Sequence, residues 1–217
     1  MITSRVHPGE SNASYLVHGV IKFLLSDVPE AVDLREKFVF KIIPMLNPDG
    51  VVYGNYRSSM VGVDLNRRWK NPSKFLHPSI YYTKSLIKWL MTQGSDISPV
   101  KQSCGNVVLT CDFHGHSRKN NVFMYGCVSQ SQLDGVSFVQ NQMMHMIPDA
   151  ISQICPIFNA KDCKFALEKE KETTARIVLF KELGIINSYT LETTFFKSDL
   201  LIKRIAEQPI KKVVMNP

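Results

Sequence analysis

No stretch of this sequence is long and apolar enough to cross a membrane as a helix. The longest apolar runs, such as Val17–Leu25, are interrupted, here by His18 and Lys22, whereas a span needs roughly 18 apolar residues in succession. The N-terminal Met1-Ile-Thr-Ser-Arg-Val has no basic segment leading into an apolar one, so it does not read as a secretory signal. No two cysteines form a CxxC pair, and their total of five is odd. Cys104, Cys111, Cys127, Cys155 and Cys163 are therefore expected to be reduced thiols in a cytoplasmic protein. Each is expected to act as a small buried hydrophobe, Cys111 most plainly. Repeats and low-complexity tracts are missing too. So is any compact Lys/Arg run with interleaved aromatics, and no nucleic-acid partner is expected.

What is present suits one globular domain over residues 1–217. Hydrophobic residues make up 44% of the chain and charged residues 21%, ordinary values for a folded domain. The formal net charge of +7 favours acidic partners, although solvated surface charge explains it equally well.

Runs of β-prone residues alternate with helical patterns. Ile2–Val6, Phe38–Leu46, Val107–Phe113, Val122–Tyr125 and Ile185–Leu191 read as strands, and Phe38–Leu46 is apolar enough to be covered on both faces. Helices are expected over Ala13–Leu25 with Ser11 or Asn12 as cap, Ala31–Phe38, Ser79–Met91, Phe138–Ile154, Glu172–Leu183 with Gly184 as C-cap, and from about Ser198 to Glu207. Between Asn47 and about Pro78 the chain has no clear period, and Thr92–Asn106 reads as a polar linker. Long irregular loops in a compact domain are usually functional. The predicted architecture is a three-layer α/β/α sandwich around a mixed, largely parallel sheet. Ligands of such sheets bind at the carboxyl ends of the strands, and His7, Asn47, His114 and Glu192 all stand there.

The candidate chemistry follows from residue types. His7-Pro-Gly-Glu10 places an imidazole and a carboxylate three apart at a strand-to-helix junction, and both are suitable zinc donors. Asp112-Phe-His114-Gly-His116 puts further donors on one face of a strand end. A His/Glu/His set with one open position is the pattern of a catalytic zinc site. Gly115 removes bulk between the two histidines, which suits close approach of a ligand. Glu192, closing the run Tyr189-Thr-Leu-Glu192, is expected to be partly desolvated and so suited to general-base work. Arg57 and the run Asp64-Leu-Asn66-Arg67-Arg68 supply guanidinium groups that pair with carboxylates. Alone, each of these features is more often structural than functional.

Together, His7-Pro-Gly-Glu10, Asn47-Pro-Asp-Gly50, Asp64-Leu-Asn66-Arg67, Asp112-Phe-His114-Gly-His116-Ser117 and Tyr189-Thr-Leu-Glu192 occur in the order seen in zinc metallocarboxypeptidases. Arg5–Glu10, Pro44–Gly50, His114–Lys119 and Phe123-Met-Tyr-Gly126 look most like the cytosolic carboxypeptidases, the tubulin deglutamylases. The resemblance runs from about Ile2 to about Phe196. It implies one zinc ion on His7, Glu10 and His114, with His116 lining the site. By the same likeness Asp64 orients the first zinc histidine, Arg57 polarises the scissile carbonyl, and Asn66 and Arg67 hold the terminal carboxylate. Glu192 is implied as general base, taking a proton from water and returning it to the leaving amine. Arg176 is implied to meet a substrate glutamate side chain; the plainer expectation for it is an exposed helix arginine. The implied substrates are glutamates on acidic protein tails or polyglutamate side chains, with tubulin as a possible target. The aromatic hydroxyl that family members carry on a mobile loop has no clear match; Glu168–Glu172 is where that loop would lie.

Family members have strands before the first metal motif, and the cytosolic group also has an N-terminal β-sandwich. This sequence starts almost on the motif, so missing N-terminal edge strands are expected. Two other readings stay open: a truncated pseudoenzyme that binds acidic tails without cutting, and a zinc deacylase acting on N-acyl amino acids.

Overall fold

The computed structural model describes residues 1–92, 107–128 and 135–195. The linker read over Thr92–Asn106 falls mostly, and the helix read over Ser198–Glu207 entirely, outside the described residues.

Five strands form one mixed sheet in the order β2-β1-β3-β5-β4. They are β1 (Ile2–Ser4), β2 (Ile42–Ile43), β3 (Thr110–His116), β4 (Val122–Tyr125) and β5 (Ser188–Thr194). All neighbours run parallel except β4, which is antiparallel to β5. Helices α1 (Ser11–Leu24) and α5 (Gly135–Ile154) cover one face, and α4 (Pro78–Thr92) and α6 (Ala175–Leu183) the other. Short helices α2 (Pro29–Lys37) and α3 (Pro48–Val52) complete the set. The predicted three-layer sandwich is therefore what forms. No helix among the described residues is long and apolar enough to cross a membrane.

Strand alternation separates the two faces. Ile2, Cys111, Phe113, Met124 and Tyr189 pack with Ala13 and Val17 of α1 and with Met144. A second core, with Leu46, Leu65, Trp69, Ile80, Val178 and Leu179, lies under α4 and α6. Asp112 and His114 face that second side, between the layers and at the strand ends.

Three local readings change. Phe38–Leu46 is not a covered strand: only Ile42–Ile43 pair, at the sheet edge, while Phe38 and Val39 are exposed. An apolar run becomes a buried strand only if partners lie on both sides, and here just β1 does. Helix α1 begins at Ser11, and neither Ser11 nor Asn12 occupies its cap position. Glu10 does, without a side-chain cap bond, because its carboxylate is held by the site. The helix read from Glu172 starts later, at Ala175, after a short 3-10 turn over Lys169–Lys171, and it does end on Gly184 in the left-handed conformation.

Candidate metal centre

The site assembles where β1, β3 and β5 end together. Parallel register sets His114 beside Glu192, and the turn after β1 brings in His7 and Glu10. All three donor residues, His7, Glu10 and His114, are buried, and one donor atom from each lies within 4.8 Å of the others. Glu10 is the common partner. Its Oε1 is 2.7 Å from His7 Nδ1, its Oε2 is 3.0 Å from His114 Nδ1, and Oε2 also accepts from Gly115 N at 2.9 Å.

Each histidine turns its other nitrogen to a carboxylate. His7 Nε2 is 3.1 Å from Asp64 Oδ1, and His114 Nε2 is 2.7 Å from Asp112 Oδ2. An Nε2–H donated to a carboxylate leaves Nδ1 with its lone pair, the state a metal ligand needs, and fixes the ring. Donor types, burial and ring orientation thus fit one zinc ion. Asp112 is in turn held by Thr3, whose Oγ1 donates to Oδ1 at 2.7 Å. Sequence reasoning gave Asp112 no role, although its spacing of two from His114 already placed both on one face.

The electrostatics follow from this packing. Burial works to raise the Glu10 carboxyl, but the hydrogen bonds and charges of His114 and His7 outweigh it and hold it well below the usual carboxylate range. Asp64 is likewise opposed by burial, then pulled below that range by His7, Arg57 and Arg67. Burial disfavours a charged His114, yet Asp112 and Glu10 push its pKa well up. Glu192 is the contrast. Among the described residues its buried Oε2 has no hydrogen-bond partner, and burial, foremost, lifts its pKa to about 7. That places it in the range a general base requires.

The arginines stand around Asp64. Arg57 Nε and Nη2 each lie 2.9 Å from Asp64 Oδ2, and Arg67 Nη1 is 3.9 Å from the same oxygen. Both side chains remain partly exposed. Asn66 is buried: its Oδ1 accepts from Ala175 N at 3.0 Å, so its amide nitrogen faces His114 Nε2 at 3.4 Å. With His114 donating from Nε2 to Asp112, that contact is donor to donor, and the Asn66 amide protons have no acceptor among the described residues.

Arg176 departs from the exposed alternative, being only 4% exposed. Its Nη1 donates to Gly126 O and lies 3.5 Å from Cys127 Sγ. His116 Nδ1 accepts from Arg118 N and Lys119 N at 3.0 and 3.1 Å, and its ring meets Phe123 edge-on. With Nδ1 an acceptor, the neutral ring carries its proton on Nε2. Burial, then Lys119 and Arg118, lower its pKa and favour that neutral form. Gly115 does not make room for a ligand. A Cβ there would collide with Asn12 Oδ1 and the Phe195 ring, so the glycine lets α1 close onto the end of β5.

Against known proteins, the family described as zinc carboxypeptidase matches residues 1–142. Cytosolic carboxypeptidase 1 of Xenopus laevis is 45% identical over 205 residues, which is 91% of this chain and 16% of that protein. Cytosolic carboxypeptidase 2 of Danio rerio is 46% identical over 200 residues, covering 92% of this chain and 26% of that protein. Among solved structures, a metallo-carboxypeptidase from Burkholderia cenocepacia superposes with a TM-score of 0.73 at 27% identity, covering 92% of this chain and 48% of that one. The chain thus spans about a sixth to a quarter of these curated relatives and about half of that solved neighbour.

Proposed function

This chain belongs to the zinc carboxypeptidase family, and from that footing we propose that it hydrolyses peptides at their C-terminal residue, releasing glutamates from acidic or polyglutamylated protein tails such as those of tubulin. The observation that carries the glutamate reading is Arg176. It is a buried guanidinium with no carboxylate within ion-pair distance among the described residues. A buried cation without an anion is costly, and a substrate carboxylate relieves that cost. The net charge of +7 acts in the same direction at longer range. A cytoplasmic setting belongs to the same proposal, supported by the names of the relatives.

What zinc supplies at His7, Glu10 and His114 is Lewis acidity, which lowers the pKa of water and polarises a carbonyl. The chain's own groups do the rest. Glu192, poised near pH 7, takes a proton from water at its carboxylate as the water oxygen bonds to the scissile carbonyl carbon, and gives it to the amine as the C–N bond breaks. Arg57 swings from Asp64 toward the scissile carbonyl oxygen and stabilises its developing charge. Arg67 and the amide protons of Asn66 hold the free terminal carboxylate, which makes the reaction an exopeptidase one.

Metal analysis combined with a release assay tests this. The protein is incubated with a peptide ending in several glutamates and, separately, with an N-acyl amino acid. About one zinc per chain and glutamate freed from the peptide alone are expected. Turnover of the N-acyl amino acid alone, or binding without release, would replace the proposal by one of the two rival readings.

A further inference from the structure

Strand β4 brings an aromatic pair to the site. Phe123 stands opposite Glu192 in the antiparallel register. Tyr125, two residues on, faces the same side, with its ring 5.5 Å from that of Phe123. Two cations lie against the Tyr125 ring. Lys171 Nζ is 5.1 Å and the Arg176 guanidinium carbon 5.8 Å from its centroid, both within the roughly 6 Å over which a ring attracts a cation.

The partners of those cations differ. Lys171 is tied to Glu168 at 2.5 Å. Arg176 has Gly126 O, Cys127 Sγ and the ring, which offset only part of a buried charge. The Tyr125 phenol is pushed up by burial, then by Glu192 and Glu168. It therefore remains a hydrogen-bond donor across the physiological range.

The geometry points to Tyr125 as a specificity-determining residue: its ring holds Arg176 and Lys171 at the site, and its hydroxyl donates to the side-chain carboxylate of an acidic C-terminal residue. This rests on the reading of the site as one that removes C-terminal glutamates. Glu168 already pairs with Lys171, so an incoming carboxylate competes with it for that cation.

The test uses the zinc-loaded full chain and two peptides that differ only in ending with Glu or with its neutral isostere Gln. Tyr125→Phe keeps the ring and removes the donor. KM for the Glu peptide is expected to rise roughly tenfold, the scale of one hydrogen bond to a charged group. KM for the Gln peptide, whose side-chain oxygen accepts only a neutral hydrogen bond, is expected to rise less, so that the Glu/Gln ratio falls. Tyr125→Leu, which also removes the ring, is expected to erase more of the Glu preference, with zinc content and melting temperature measured to show that both variants fold. An unchanged Glu/Gln ratio in Tyr125→Phe overturns the assignment. If Arg176→Gln collapses the ratio while Tyr125→Phe does not, the glutamate reading stands and Tyr125 alone falls. A wild-type chain that does not prefer Glu overturns both.

Discussion

The metal ligands and the arginines are held in opposite ways. His7, Glu10 and His114 stand at strand ends, fully buried, with every polar side-chain atom partnered and a carboxylate behind each ring. Arg57 and Arg67 come from the irregular stretch after α3, remain partly exposed, and share one oxygen of Asp64. One set is fixed by the sheet, while the other is free to change partners. Such a division suits a centre that must keep its geometry while the groups around the substrate move. Asp64 joins the two halves, since its other oxygen takes His7 Nε2.

The strongest way to break the comparison is at the rigid half. His114→Ala is expected to abolish zinc binding and activity together, while acidic-peptide binding, measured by fluorescence anisotropy, persists through the arginines. Bound zinc in that variant would remove His114 from the ligand set.

Next is Glu192→Gln, which should retain about one zinc per chain by elemental analysis while kcat falls by orders of magnitude. In the wild type, kcat/KM should rise with pH through about 7 as Glu192 ionises. The stability sign is opposite. A carboxyl raised above its unfolded value is bound to more protons in the native state, so the zinc-free chain loses stability as pH climbs from the ordinary carboxyl range through about 7. The glutamine variant should lack that loss and melt higher than the wild type at pH 8, by scanning calorimetry.

Asp64→Asn sharpens the joint between the halves. Removing a carboxylate behind a metal-binding ring typically costs 10–100-fold in metal affinity, so a competition titration with a zinc-sensitive dye should show a loss on about that scale. KM should also change, because Arg57 is released. The smallest effect belongs to the exposed half alone. Arg67→Ala should raise KM for peptides with a free C-terminus, yet alter unfolding stability by no more than about 1 kcal/mol, since exposed ion pairs contribute little.

The strands, the sandwich and the metal donors were legible in the sequence because they depend on short patterns. HxxE and DxH spacings fix which side chains share a face, and apolar runs fix the strands they end. Asp112 was missed, although the same spacing puts it on the face of His114. The Phe38–Leu46 run misled because cover on both faces is decided by neighbours far away in the chain. The bond from Ala175 N to Asn66, 109 residues apart, and the stacking of Arg176 on Tyr125 leave no local trace at all. They depend on where α6 and β4 come to lie.

The spread of the site along the chain sets when it can exist during folding. Glu10 meets His114 across 104 residues, and Asn12 Nδ2 donates to Thr193 O across 181. Such contacts reward the chain only after most loop-closure entropy has been lost, which makes parallel sheets slow to form. The first turn of α1 therefore waits for β3 and β5 before it has metal partners. Zinc capture is thus expected late in folding, with the ion as a seal on the finished sheet, not as a nucleus for it.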